Sequence, residues 1–199
     1  FPPNDPKELI AYAKANPGKI NWATQGQAGS SQLVGELLKS LAGIDMVAIH
    51  YKGSAPANVD IMGGRVDVHF DGVGTSLPNV ANKKVKAIAV TSATRMAVAP
   101  DIPTFVEAGL PGMVAYSWYG IVAPPGTPPS IVNKLNQEII RWAHEKDVQA
   151  RMVTDGSEML QGKPMPPTRD LESAKAKQEV AREDAGITAQ SATEDITVF

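Results

Sequence analysis

The chain has 199 residues, enough for one compact domain or two small ones, and long enough to bury a core without staples. Hydrophobic residues make up 43% and charged residues 20%, with a net charge of −2 and no block of like charges, which excludes a disordered chain and leaves no basic patch for nucleic acid or a membrane surface. Cysteine is absent, so disulfides, thiol catalysis and cysteine-ligated zinc are excluded while the compartment stays open, and no apolar run reaches the ~18 residues of a membrane-spanning helix.

Phe1-Pro2-Pro3 is neither an initiator methionine nor a signal peptide, so any targeting segment is expected to be absent from this sequence. Asp5-Pro6-Lys7-Glu8 has the spacing of a capping box and starts a helix, with Leu9, Tyr12 and Ala13 on one face and Asn16-Pro17-Gly18 as its stop. Residues 20–23 read as a strand that opens into a small-residue loop over 24–31. Val34, Leu37, Leu38 and Leu41 then mark a strong helix ending at Gly43. The cycle repeats. Residues 46–49 form a short apolar run, 56–62 a helix closed by Gly63-Gly64, 66–70 a strand, 76–83 a weak helix and 87–90 a strand. Such alternation predicts an α/β fold with a mainly parallel sheet and helices on both faces.

Beyond residue 92 the pattern loosens. A short helix is predicted before Gly109, an aromatic-rich strand over 116–122, and a Pro-rich turn over 123–129. A long amphipathic helix carries Ile131, Val132, Leu135, Ile139 and Trp142, and a shorter one carries Val148 and Met152. Residues 162–167 are Pro-rich, 168–184 are helical by propensity up to a stop at Gly186, and the last residues read as a tail.

Chemistry is concentrated where strands run into loops. In open α/β sheets, ligands bind at the carboxyl ends of the strands. Thr24, Gln25, Gly26, Gln27, Ser30 and Ser31 lie at such an edge. Their glycine lets backbone approach a ligand, and the serine hydroxyls stand at a helix N-terminus, which favours an anion or simply a capped turn. The loop lacks the Gly-Lys-Ser/Thr of a Walker A motif and, with Ala28 in place of the middle glycine, the dinucleotide fingerprint. Two further loops leave the same edge: one with Tyr51 and Lys52, the other with Asp71 and Gly72. No His-x-x-x-His or Glu-x-x-His spacing suggests a metal, and no Gly-x-Ser-x-Gly elbow suggests a hydrolase. The site reads as built to hold rather than to react.

An ordered set of motifs carries a resemblance. It runs Lys7-Glu8-Leu9-Ile10-Ala11-Tyr12-Ala13, Asn16-Pro17-Gly18-Lys19, Tyr51-Lys52-Gly53-Ser54-Ala55-Pro56-Ala57, Gly63-Gly64-Arg65-Val66-Asp67, Phe70-Asp71 and Ala89-Val90-Thr91-Ser92-Ala93-Thr94-Arg95. It continues with Glu107-Ala108-Gly109-Leu110-Pro111-Gly112, Ser117-Trp118-Tyr119-Gly120 and Ala123-Pro124-Pro125-Gly126-Thr127-Pro128. Over about residues 3–190 the chain resembles the periplasmic substrate-binding receptors of tripartite tricarboxylate transporters, the Bug-type or TctC-like proteins.

The resemblance implies a two-lobed α/β fold of the type II periplasmic-binding-protein kind. Residues 1–115 would form the second, inserted lobe. Residues 116–199 would form the returning part of a first lobe whose preceding ~100 residues are absent from this sequence. It implies a non-catalytic, periplasmic receptor without a cofactor. Such a receptor captures a small carboxylic acid (di- or tricarboxylate, acidic amino acid or aromatic acid) and delivers it to membrane permease subunits. It would neither bind nucleic acid nor insert into the membrane. By the same resemblance the 24–31 loop meets the distal part of the ligand, and Asp71 accepts from a ligand amine or hydroxyl, directly or through water. Ala28, Gln32 and His50 depart from the glycine, histidine and proline common at those positions. An effector-sensing domain of a transcription regulator and an α/β enzyme acting on a small carboxylate, with Asp71 or His69 as base, stand as alternatives.

Overall fold

A computed structural model describes residues 1–117, 119, 121–157 and 196–198. The chain divides into two units, Phe1–Ser117 with Glu194–Phe199, and Trp118–Thr193.

The first unit is built on a five-stranded sheet. The order of elements is α1 (Pro6–Ala15), β1 (Asn21–Thr24), α2 (Ser30–Ala42), β2 (Val47–His50), α3 (Ser54–Met62), β3 (Val68–Gly72), α4 (Val73–Ala81) and β4 (Ala89–Val90), with β5 (Ile196–Val198) entering from the far end of the chain. The spatial order is β2-β1-β3-β5-β4. β1 pairs in parallel with β2 and with β3. The sequence periods that predict these elements hold, and the boundaries shift by one to three residues, the most at α4, which starts at Val73 and not at Ser76.

Local chemistry explains the starts and stops. The Asp5 side chain caps α1 by accepting from the Glu8 amide at 2.8 Å, and Pro6 occupies the first helical position, where no N–H is needed. The Glu8 carboxylate reaches back one residue further than a capping box requires, to the Asn4 amide at 2.8 Å. Trp22, Val68 and Phe70 face the main core, which α1 joins through Leu9 and Ala13 and α2 through Val34 and Leu38. Ala23 turns to the opposite face and packs with Ala57 of α3 and with Val66. Helices therefore cover both faces of the sheet.

Two expectations are corrected in this unit. The last residues are not a tail: β5 lies antiparallel between β3 and β4, pairing Phe70 with Val198 and Ala89 with Val198. The parallel ladder thus ends at β3. Ile196, Thr197 and Val198 are β-formers, and they supply the backbone hydrogen bonds that β3 and the two-residue β4 would otherwise lack. Before Gly109 the chain forms hydrogen-bonded turns rather than a helix. Thr104 and Glu107 exchange bonds there, the Glu107 amide donating to Thr104 Oγ1 at 3.0 Å and the Thr104 amide to the Glu107 carboxylate at 3.1 Å.

In the second unit, α5 (Pro129–Ala143) and α6 (Lys146–Thr154) follow the predicted amphipathic pattern. Ala143 and Val148 are buried, while Ile131, Leu135 and Trp142 remain about half exposed. No strand forms among the described residues of 116–122, contrary to expectation. An extended run becomes a strand only where a neighbouring edge completes its hydrogen bonds, and Ile121 and Val122 stand 80% and 90% exposed. The Pro-rich run 162–167, the helix expected over 168–184 and its stop at Gly186 lie outside the described residues, as do Trp118 and Gly120.

Candidate functional site

Because β1, β2 and β3 run in parallel, their carboxyl ends meet at one edge. Thr24 lies opposite His50, and Ala23 opposite His69. Two loops leave this edge, 25–29 and 51–53, and beside them the chain passes from Gly72, the end of β3, straight into α4 at Val73, so the loop expected there is the first turn of a helix. The ends are tied by the Tyr51 amide, which donates to the Thr24 carbonyl at 2.9 Å.

Asp71 is the hub. It is 2% exposed, and five side chains donate to it. Gln25 Nε2 (2.6 Å) and Ser54 Oγ (2.7 Å) meet Oδ1. Thr75 Oγ1 (2.8 Å), Ser76 Oγ (3.0 Å) and Asn58 Nδ2 (3.1 Å) meet Oδ2. The carboxylate thereby ties the first loop, α3 and α4 to the end of β3. Burial works to raise its pKa, but the donation from Ser54, the electrostatic pull of His69 and the donations from Thr75 and Asn58 outweigh it and hold the group below the usual carboxylate range. His69, on the same face of β3, is fully buried. Burial pushes its imidazole down against the pull of Asp71, so it adds no positive charge near neutral pH. The contact of its Nδ1 with Asn58 Oδ1 at 3.3 Å completes a chain from His69 through Asn58 to Asp71, while its Nε2 is buried without a partner among the described residues.

The 24–31 loop is held from inside. Gly26 has φ 141°, a conformation that favours glycine, and Ala28 sits at φ 57°, where a side chain is strained. That backbone is a physical reason for the glycine usual at position 28. The Ala28 amide donates to Gln32 Oε1 at 2.7 Å, and the Gln25 amide to Ser31 Oγ at 2.8 Å. Gly29, not a serine, caps α2, with no side-chain bond. Ser30 is instead the first helical residue, and its side chain is exposed. Ser31→Ala is therefore expected to leave the Gln25 amide unsatisfied and cost about 1–3 kcal/mol, read as a lower urea midpoint. Ser30→Ala is expected to leave that midpoint within about 0.5 kcal/mol.

The structure brings Thr24, Gln25, Ser31 and Asp71 together and leaves Gln27, Ser30, Lys52 and Gly72 exposed at the same edge. Tyr51 turns to α3: its hydroxyl donates to Asp60 at 2.7 Å, and Asp60 is itself engaged by Arg65. Burial and that donation raise the Tyr51 pKa. Asn58 was not singled out from the sequence. It lies on a helix four residues after Ser54, and only the i, i+4 spacing of two polar residues on one face hints at a shared task. Among the described residues, no group of three or more His, Asp or Glu gathers as a metal site would.

An α/β lobe with polar loops gathered at the carboxyl ends of parallel strands has the architecture of a periplasmic binding protein, and solved periplasmic binding proteins superpose on it. The adipate-bound Rpa4515 protein of Rhodopseudomonas palustris matches with a TM-score of 0.81 at 31% identity, over 94% of this chain and 62% of that one. The malate-bound MatC of the same organism matches with a TM-score of 0.78 at 32% identity, over 93% and 63%. The family model of the tripartite tricarboxylate transporter family receptor matches residues 1–180, and the chain belongs to that family. A Pseudomonas UPF0065 protein from the tcbD-tcbE intergenic region is 38% identical over 161 residues, which are 80% of this chain and 48% of that protein. The chain spans about half the length of the curated relatives it matches.

Proposed function

We propose that the chain is part of a periplasmic solute receptor that captures a small carboxylic acid and hands it to the membrane permease of a tripartite tricarboxylate transporter. The observation that carries the reading is the edge itself: polar residues gathered at three parallel strand ends, one of which leads by a loop into the uncapped N-terminus of a thirteen-residue helix, in a member of this receptor family. A helix N-terminus with free amides favours a carboxylate. Thr24, Gln25, Gly26, Gln27, Ser30 and Ser31 form the ligand-facing loop in this reading, with Gly72, Lys52 and Tyr51 at its margin. The relatives bound to adipate and malate fit the same ligand chemistry.

In the same reading, residues 1–115 form one lobe and 116–199 belong to the other, most of which the longer relatives contain. The half-exposed Ile131, Leu135 and Trp142 of α5 support this, since an amphipathic helix seeks a partner for its apolar face. The protein holds its ligand and does not transform it. Its hub carboxylate is saturated with donors, which leaves Asp71 poorly placed to act as a base.

A thermal-shift screen of carboxylic acids on the full-length protein tests the proposal. An acid present at one hundred times its dissociation constant is expected to add about 2.7 kcal/mol of stability. Failure of di- and tricarboxylates, acidic amino acids and aromatic acids alike to shift the transition would overturn the receptor reading. Turnover of a bound acid would favour the enzyme instead.

A further inference from the structure

Hydrogen-bond polarity at the sheet edge can be worked out atom by atom. A carboxylate offers about four lone-pair sites and no hydrogen. Five donors already occupy Asp71, so it has little left for a ligand. At 2.6 Å the Gln25 amide must present its NH2 group to Asp71, because two oxygens so close would repel. Its Oε1 therefore lies on the other side of the amide, and among the described residues nothing donates to it.

Gln25 follows Thr24, the last residue of β1, and is partly exposed, so its free oxygen stands at a strand end. Thr24 is the partner of His50 in the β1–β2 register, and its hydroxyl lies 3.2 Å from the Gly26 carbonyl and 2.7 Å from His50 Nδ1. One acceptor, fixed by the bond its own amide makes to Asp71, thus stands at the end of β1.

Resting on the carboxylate-receptor reading, we infer that this edge selects carboxylic acids that carry a hydrogen-bond donor, a hydroxyl or ammonium group, over the unsubstituted acids, with Gln25 Oε1 as the receiving atom. An unsubstituted acid strips water from this acceptor and returns nothing, and the penalty falls on that acid alone.

Calorimetry on the full-length protein tests this with matched acids: succinate against malate and aspartate, glutarate against 2-hydroxyglutarate and glutamate, and benzoate against 4-hydroxybenzoate. The donor-bearing member of a bound set is expected to bind at least about tenfold tighter. Gln25→Leu reduces that ratio about 3- to 10-fold. Gln25 is partly exposed, and circular dichroism verifies that the variant folds. Equal affinities for the plain and substituted acids in the wild type would overturn the inference, as would an unchanged ratio in Gln25→Leu. Binding of none of these acids is a different result: it overturns the carboxylate-receptor reading, and the preference with it.

Discussion

Asp71→Ala is expected to destabilise the protein by about 1–3 kcal/mol, the cost of leaving a buried donor unsatisfied, and to fall toward the upper end because several donors share this acceptor. The loss is not one contact. Removing the carboxylate strands donors from Gln25, Ser54, Asn58, Thr75 and Ser76 at once. Ser76 is 1% exposed, so water cannot easily replace its acceptor. The others are nearer solvent and recover part of their bonding from water. Urea denaturation reads the effect directly, and a change below about 1 kcal/mol would mean that the hub is not cohesive.

The pH dependence follows from the same group. The folded-state pKa of Asp71 is lowered, so its contribution is present above the unfolded value of about 3.9 and is lost as pH falls through the lower folded value. His69 acts earlier on the scale and in the same direction. Its folded pKa is also lowered, so the unfolded state takes up a proton first, and stability declines as pH falls below about 6.5. The wild type should therefore lose stability in two stages on acidification. Asp71→Asn should retain the stage near 6.5 and show a smaller lower one, to which the lowered Asp60 and Glu107 carboxyls still contribute, as read from urea midpoints at a series of pH values.

Trp22→Ala is expected to cost about 3–5 kcal/mol, as for other large core aromatics. Trp22 is fully buried on β1, between β2 and β3, and is the largest side chain of the main core. Its place depends on Gly35 of α2. A Cβ at position 35 would lie 2.6 Å from the indole Cε2, well inside contact distance. Gly35→Ala should accordingly cost about 1–3 kcal/mol through overpacking. Combining Gly35→Ala with Trp22→Ala should cost less than the sum of the two, because the cavity accepts the added methyl group. Strict additivity in thermal or urea unfolding would mean that the glycine and the indole do not share a site.

These residues mark how far sequence patterns reach. The 3.6-residue repeat of Val34, Leu37, Leu38 and Leu41 and the short apolar runs before each polar loop made α2, β1, β2 and β3 legible, because a buried face leaves its period in the chain. The loops at the strand ends were legible for the same reason, since parallel βα units deliver every such loop to one edge. Asn58 was not legible, because a polar residue on a short helix has no periodic signature and its meaning comes only from Asp71, thirteen residues away.

Asp71 itself read as a ligand acceptor, and only the three-dimensional packing revealed five competing donors. The position of β5 was hidden too: three residues carry almost no periodic information, and their pairing with β3 and β4 joins points more than a hundred residues apart. Composition, period and motif order thus determined the α/β class, the order of its elements and the family. Tertiary structure decided which polar side chains satisfy one another and which keep an open acceptor. Burial patterns are local and repeat along the chain, whereas a hydrogen-bond partner is chosen by proximity across the fold.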